Sequence, residues 1–425
     1  MTGQDRSSDA ATLKDAVPGW TFHADHATVM AEPHARPSMP VGLRDTILHM
    51  GLNCTDAARD ALFEVFQIDP DARHARHWMK PFGGFQLKLE QHTEFMSITL
   101  LCPQGGVAAD APELLGRIAA IDGLEAIILT RVALRARSDS LDTEAAQRAG
   151  VGGIMRGGME VRSSFVPDQD GFITYFVQSP EGSPDELGRR VQRLIEMETY
   201  RTLCLLGLPL ARRTGESLAR DENRLIEIVS AMSGESMDKD ETLFQGLSLL
   251  LQTSNALRAS TRFRFSASLA YYALVQQRLT SLEETKLDDL QTISGFVRSR
   301  LDPSVATIES IAARQKTLID DLSQGLSLLR TRIDLALNRD NQVVLKSLDA
   351  RNRKQVQIAQ TVEGLSAVAI TYYAVGLLSY VLSAIAPYMP GALPHYTMVA
   401  ISVPFVLVAV WLSLHRMRGA WEKNS

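Results

Sequence analysis

Histidines and acids crowd the N-terminal part of this 425-residue chain, and they are the residues that could do chemistry. Of nine histidines, seven lie at or before His92. Most keep company with carboxylates or arginine: His23 and His26, the run Glu32-Pro33-His34-Ala35-Arg36-Pro37, His74 and His77, and the run Glu90-Gln91-His92-Thr93-Glu94. On an extended segment alternate side chains share a side, so Glu90, His92 and Glu94 would project together and could offer mixed nitrogen and oxygen ligands to a divalent ion. Arg36 could instead pair with one of those carboxylates in a hydrogen-bonded network that only supports the fold. The sequence leaves both readings open. Glu32, His34, Arg36, Glu90, His92 and Glu94 form the candidate ligand or metal set, with the metal and any cofactor unspecified. Catalysis is not expected, because no nucleophile can be matched with a base. The glycine-rich stretch Gly150-Val151-Gly152-Gly153 with Gly157-Gly158 lacks the spacing and the Lys-Ser/Thr end of a phosphate-binding loop. It reads as a flexible loop leading into a strand.

The elements that must position these residues are mixed. Residues 41–52 and 55–66 read as helices, while 85–89, 95–101, 126–134, 159–165 and 172–177 have the alternation or β-branched content of short strands. Asp168-Gln169-Asp170-Gly171 suits a hairpin turn between the last two. An α+β N-terminal domain is expected, with helices packed on one side of its sheet. From Asp185 onward the pattern is helical, interrupted at Gly207-Leu208-Pro209, resumed over 222–232, and continued from Leu243 until Asp302-Pro303 forces a break or restart. Leu318, Leu322, Leu329, Ile333, Leu337, Val344 and Leu348 then recur at intervals of four and seven, the stripe of a bundle or coiled coil. As one rod from Pro303 the extramembrane part would be on the order of 90 Å long at 1.5 Å per residue. A bundle of shorter helices folded back on one another is the alternative.

Residues 364–386 carry no charged side chain and exceed the ~20 residues a spanning helix needs. A second apolar run, 396–414, holds Pro404, which a membrane helix tolerates when neighbours satisfy the freed carbonyl. The proline-rich turn between them, 387–395, has no acid, lysine or arginine and reads as a short re-entry loop. Arg351, Arg353 and Lys354 precede the first run, and His415, Arg416, Arg418 and Lys423 follow the second, which orients both ends toward the cytosol. Tyr388, Tyr396, Trp411 and Trp421 fall near the expected interfaces. The expected location is therefore the inner (plasma) membrane, multi-pass, with both termini cytoplasmic. Ala367 with Thr371 and Ser379 with Ser383 give the first span small or hydroxyl residues at helical spacing, for packing within the hairpin or between subunits.

Composition narrows the partners. Lys+Arg 44 against Asp+Glu 49 gives a net charge of -5 with no basic field, so nucleic acid is not an expected partner; the lipid bilayer is, and further copies of the chain could be. Cys54, Cys102 and Cys204 are odd in number and far apart, which fits core residues in a reducing compartment rather than a disulfide framework or zinc site. Residues 1–19 are polar and lack the order of a secretory signal. The expected organisation is a disordered tail over 1–20, an α+β cytosolic domain over 21–182, a helical bundle or stalk over 183–360, a transmembrane hairpin over 361–416 and a cytosolic tail over 417–425.

Several runs carry a family resemblance: Glu32-Pro33-His34-Ala35-Arg36-Pro37, Glu90-Gln91-His92-Thr93-Glu94-Phe95, Glu196-Met197-Glu198-Thr199-Tyr200-Arg201, Ala270-Tyr271-Tyr272-Ala273-Leu274-Val275 and Thr361-Val362-Glu363-Gly364-Leu365-Ser366. From about His23 to the second span the chain resembles bacterial domain-of-unknown-function family 3422. The resemblance implies a membrane-anchored protein and supplies no reaction and no functional residues. In layout alone the chain is also similar to CorA-type divalent cation channels, which place an α/β domain before long helices and two C-terminal spans. Those channels close the first span with Gly-Met-Asn, whereas Pro387-Tyr388-Met389-Pro390-Gly391 stands here, so the likeness does not imply magnesium selectivity. Asn338 and Asn341 would be the pore-facing candidates. The expected function is a membrane-anchored binding or scaffolding module without enzymatic activity, the alternative being a homo-oligomeric cation channel or transporter.

Overall fold

The computed structural model describes residues 22–31, 37–69, 73, 75–103, 110–139, 148–232, 239–385 and 394–421. It divides into two units, one of Met1–Gly234 with Gln245–Gly325, the other of Glu235–Phe244 with Leu326–Ser425.

In the first unit a short helix α1 (His26–Ala31) precedes β1 (Thr46–Cys54), α2 (Asp56–Val65), β2 (His77–Phe82), β3 (Phe85–Gln91), β4 (Met96–Cys102), α3 (Ala111–Ala119), β5 (Leu124–Ala136), β6 (Val151–Met155), β7 (Met159–Pro167) and β8 (Ile173–Ser179). With β9 (Thr285–Lys286) they form one nine-stranded sheet in the order β2-β3-β4-β1-β5-β8-β7-β6-β9. Its named strand pairs are antiparallel except β5 with β8. The five expected strands fall on β3, β4, β5, β7 and β8, with 95–101 and 172–177 each beginning one residue early, and Asp168 forms the expected turn, its Oδ1 accepting the N–H of Asp170 at 3.0 Å and of Phe172 at 2.9 Å. Gly171 there takes φ +85°, open to glycine at little cost.

Two expectations fail in the sheet. Residues 41–52 are not a helix: they enter β1, whose Thr46 to Leu52 are buried throughout. A strand covered on both faces loses its alternation, and periodicity then cannot separate it from a buried helix. Of the glycine-rich stretch, Val151 to Gly153 are strand β6 rather than loop, while Gly157 and Gly158 form the expected turn into β7. A Cβ on Gly153 would strike the side chain of Glu284, whose carboxylate accepts the N–H of Ile293 at 2.6 Å and of Ser294 at 2.7 Å. Glycine there admits an acid that caps the start of a long helix.

Helices cover both faces, not one. Leu48, Met50, Leu52, Leu87, Leu89, Ile98 and Leu100 meet Leu62 and Phe63 of α2 and Leu114 and Ile118 of α3. On the other face Ile47, Val132, Leu134, Tyr175 and Val177 meet Leu187, Val191 and Leu194 of α4 (Pro184–Leu205). Residues of α6 (Asp240–Ser281) and α7 (Ile293–Ile385), such as Val275, Leu279, Val297 and Leu301, complete that core. The reason is in the strands, since apolar side chains at consecutive positions point to opposite faces and both need cover.

The helical region also departs from its expected breaks. The Gly207 interruption is real, dividing α4 from α5 (Gly207–Met232). α6, however, ends at Ser281 so that β9 can join the sheet edge, and α7 runs through Pro303 unbroken for 93 residues. Proline removes the bond to the Ser299 carbonyl, but Pro303 is exposed while Val297, Leu301, Val305 and Ile308 are buried on either side. Water can satisfy the freed carbonyl and packing holds both turns in line.

In the second unit every residue of α7 from 337 to 362 is exposed. Arg332 pairs with Asp240 at 2.9 Å. The end of α7 and the following helix α8 (His395–Trp421) are both long and apolar enough to cross a membrane. His395 Nε2 lies 3.0 Å from the carbonyl oxygen of Ser379 and 3.3 Å from its hydroxyl, tying α8 to α7, while Thr371 donates to the Ala367 carbonyl of its own helix at 2.8 Å. Most of the expected re-entry loop, 387–393 of 387–395, lies outside the described residues.

Candidate functional site

Sheet register gathers polar residues on a face that is otherwise apolar. Lys88 of β3 stands opposite Thr99 of β4, Thr99 opposite His49 of β1, and His49 opposite Thr130 of β5. One pleat further, Glu90 stands opposite Ser97 and, on its other side, His77 of β2. The two-residue period puts Lys88 and Glu90 on the same face, with Leu87 and Leu89 facing the opposite core. Helix α4 lies over this polar row and adds Gln192, Glu196, Thr199 and Tyr200 to a cavity of about 70 Å³. Met39 and Val41 line it from the segment before β1, which docks on α4 where Val41 donates its N–H to the Pro184 carbonyl at 3.0 Å.

The hydrogen bonds fix the protonation of His49. Its Nε2 lies 3.2 Å from Thr199 Oγ1, and that hydroxyl donates to the Ile195 carbonyl at 2.8 Å, so it can only accept from the ring. Nε2 therefore carries the hydrogen, and Nδ1, 2.9 Å from Thr99 Oγ1, accepts. Burial, with smaller contributions from His92 and Lys88 against the pull of Glu90, pushes the proton affinity of His49 down to about 4. It is a neutral imidazole. Glu90 is the reverse case: burial works to raise it, but the neighbouring His77 and the charges of Lys88 and His92 bring it down to about 2. The Lys88 ammonium, with its side chain only 5% exposed, lies 3.3 Å from Glu90 Oε2, and His77 Nδ1 lies 3.5 Å from Oε1.

Of the sequence-predicted residues, the structure brings Glu90 and His92 to the cavity. His92 stacks on Phe95 at 4.1 Å, its Nε2 3.3 Å from Ser97 Oγ. Glu94 goes elsewhere, to Arg264 at 2.6 Å. β3 ends at Gln91, and the His92 N–H donates to the Phe95 carbonyl at 2.9 Å, so 92–95 is a turn and the extended geometry that would have aligned Glu94 is lost. Glu32, His34 and Arg36 lie outside the described residues. Among the described residues no group of three His, Cys, Asp or Glu side chains is placed to hold a metal ion. His49, Lys88, Thr99 and Thr199 were missed. Lys88 left a signal, a charge between two leucines at the spacing of Glu90; Thr199 lies 150 positions from His49 and left none.

A second polar cluster is structural. Glu198 accepts from the Tyr175 hydroxyl at 2.7 Å and from two Arg201 nitrogens at 2.9 and 2.5 Å, while Glu196 binds Gln192 at 2.8 Å and Arg278 at 2.5 Å. Tyr200 stacks on Tyr271. The run 196–201 thus joins α4 to the sheet and to α6. Cys54, Cys102 and Cys204 are free, and burial pushes the Cys204 thiol up to about 12, which makes it inert.

Fold and site define an α+β sheet protein with a buried polar cavity and one very long helix whose end, like the helix after it, is fit to cross a membrane. The chain belongs to the family described as protein of unknown function (DUF3422), whose model matches residues 21–421. Among curated proteins none matches the chain. The family match lends no support to the layout likeness with CorA-type channels.

Proposed function

We propose that this chain is a membrane-anchored binding protein whose sheet unit holds a small oxygen-bearing solute in the cavity beneath α4, the hairpin anchoring it in the inner membrane with both termini cytoplasmic. The observation that carries the reading is Lys88. A buried ion pair is no better for stability than apolar residues of the same shape, because desolvating two charges offsets their attraction. An ammonium offers three donors, and among the described residues the one partner of Lys88 is Glu90. Lys88 lines a cavity whose other polar lining includes the hydroxyls of Ser97 and Thr99 and the neutral ring of His49. A space of about 70 Å³ takes a solute of a few heavy atoms, roughly two waters' share of liquid volume.

Turnover is not part of the proposal. His49 spends both ring nitrogens on threonine hydroxyls and, with its affinity for protons lowered, is a poor general base near neutral pH. Self-association is. Leu337, Val344, Leu348, Ile358 and Val362 share one stripe of the exposed stretch of α7, the spacing that a parallel coiled coil buries against a second copy. The solute is tested by native mass spectrometry of the full chain released from mild detergent. Wild type should carry an adduct of small-molecule mass that the variant Lys88→Met/Glu90→Gln lacks; a wild type without an adduct, or the same adduct on both proteins, would remove the support.

A further inference from the structure

We propose that the opposite face of the sheet carries a second binding site, a groove for a single-chain carboxylate amphiphile, a long-chain fatty acid. Helix α3 covers only part of β1 and β5, leaving a cleft of about 690 Å³ between itself and the Asp170–Phe172 side of the β7–β8 turn. That volume lies within the roughly 300–1,000 Å³ of small-ligand sites and suits one acyl chain better than two. The floor is apolar, with Leu48, Met50 and Leu52 of β1 beside Leu129 of β5, and small residues such as Ala126 and Ala133 keep it open. At about 3.3 Å per residue the stretch of β5 from Leu124 to Ala133 spans on the order of 30 Å, enough for an extended chain.

Charge selects the occupant. Arg131 and Arg135 follow Leu129 and Ala133 on the groove face of β5, so the charged lining, two guanidiniums and the Asp170 carboxylate, lies toward one end while the Leu52 and Leu124 end is apolar. Arg131 is already engaged, pairing with Asp168 at 2.7 Å and with Asp170 at 3.7 Å and lying over the Phe172 ring, which leaves the Arg135 charge unbalanced in the lining. Arg135 is not: its Nη1 donates to the Leu134 carbonyl at 2.7 Å, and it has no carboxylate pair among the described residues. The nearby acid, Asp139, is held by Arg44 through two bonds of 3.0 and 3.1 Å. A guanidinium with spare donors at the end of an apolar trough complements a carboxylate on a hydrocarbon tail.

The test uses the full chain in liposomes, photolabelled with a diazirine-bearing long-chain fatty acid or with the alcohol of the same length, and the labelled peptides mapped by mass spectrometry. The acid should label peptides of α3 and β5 about tenfold more than the alcohol, the worth of one charge-assisted hydrogen bond. Arg135→Glu should erase that excess while leaving labels on the two membrane helices unchanged. Ala133→Trp, which fills the groove and leaves Arg135 in place, should also lower groove labelling. Equal labelling by acid and alcohol, labels confined to the membrane helices, or groove labelling that neither variant reduces would overturn the proposal.

Discussion

At the scale of residues, His49 is the group whose behaviour most depends on where the fold puts it. Its folded proton affinity, about 4, lies below the ordinary 6.5 because burial disfavours the charged ring. Between those values the unfolded chain binds a proton that the folded chain refuses, so stability falls as pH drops from 6.5 toward 4. The full span is worth on the order of 3 kcal/mol. Glu90, brought down to about 2 from 4.5, adds a loss of the same sign in a lower window, between 4.5 and 2. Urea denaturation of the full chain at pH 4.5 and 7 should show a smaller difference for His49→Gln than for wild type; an unchanged difference would mean that His49 is not buried neutral. The sequence displayed Glu90 and His92 because acid and histidine were adjacent in it. It concealed His49 inside an apolar run and Thr199 on a distant helix, since their meeting depends on sheet register and helix docking.

At the scale of elements, Gly188 decides how closely the segment before β1 can approach α4. A Cβ there would collide with the Met39 carbonyl oxygen, which is backbone and has little room to give. Alanine would gain up to about 1 kcal/mol of helix propensity, but overpacking costs about 1–3 kcal/mol. Gly188→Ala should therefore lower the denaturation midpoint and, because Met39 and Val41 line the cavity, weaken solute binding as well. The exposed stretch of α7 gives a second prediction. In copies anchored in one bilayer, Leu348→Cys should form disulfide-linked dimers under mild oxidation, whereas Lys346→Cys, on the opposite side of the helix, should not. Equal cross-linking by the two would contradict the coiled-coil proposal. Strands with visible alternation and the Gly207 break were legible in advance. β1 was not, because both its faces are buried, and the helix through Pro303 was not, because its continuity rests on tertiary packing around an exposed proline.

At the scale of the whole molecule, the most legible feature was the pair of long uncharged runs, which local composition alone defines and which the structure keeps helical. Less legible was the division of the helical region, since much of α5, α6 and α7 belongs with the sheet unit up to Gly325. That assignment depends on contacts between residues far apart in sequence, such as Glu222 with Arg314 and Thr261 with Gln315. The account as a whole stands on the cavity as a place where a solute binds. Isothermal titration of the full chain in nanodiscs with acetate, inorganic phosphate and glycerol, beside the variant Lys88→Met/Glu90→Gln, tests this most directly. Removing both charges avoids leaving either one buried without its partner, the change that destabilises most. The account predicts saturable heat with a carboxylate or phosphate probe in wild type and none in the variant; titrations that cannot tell the two proteins apart with any probe would contradict it.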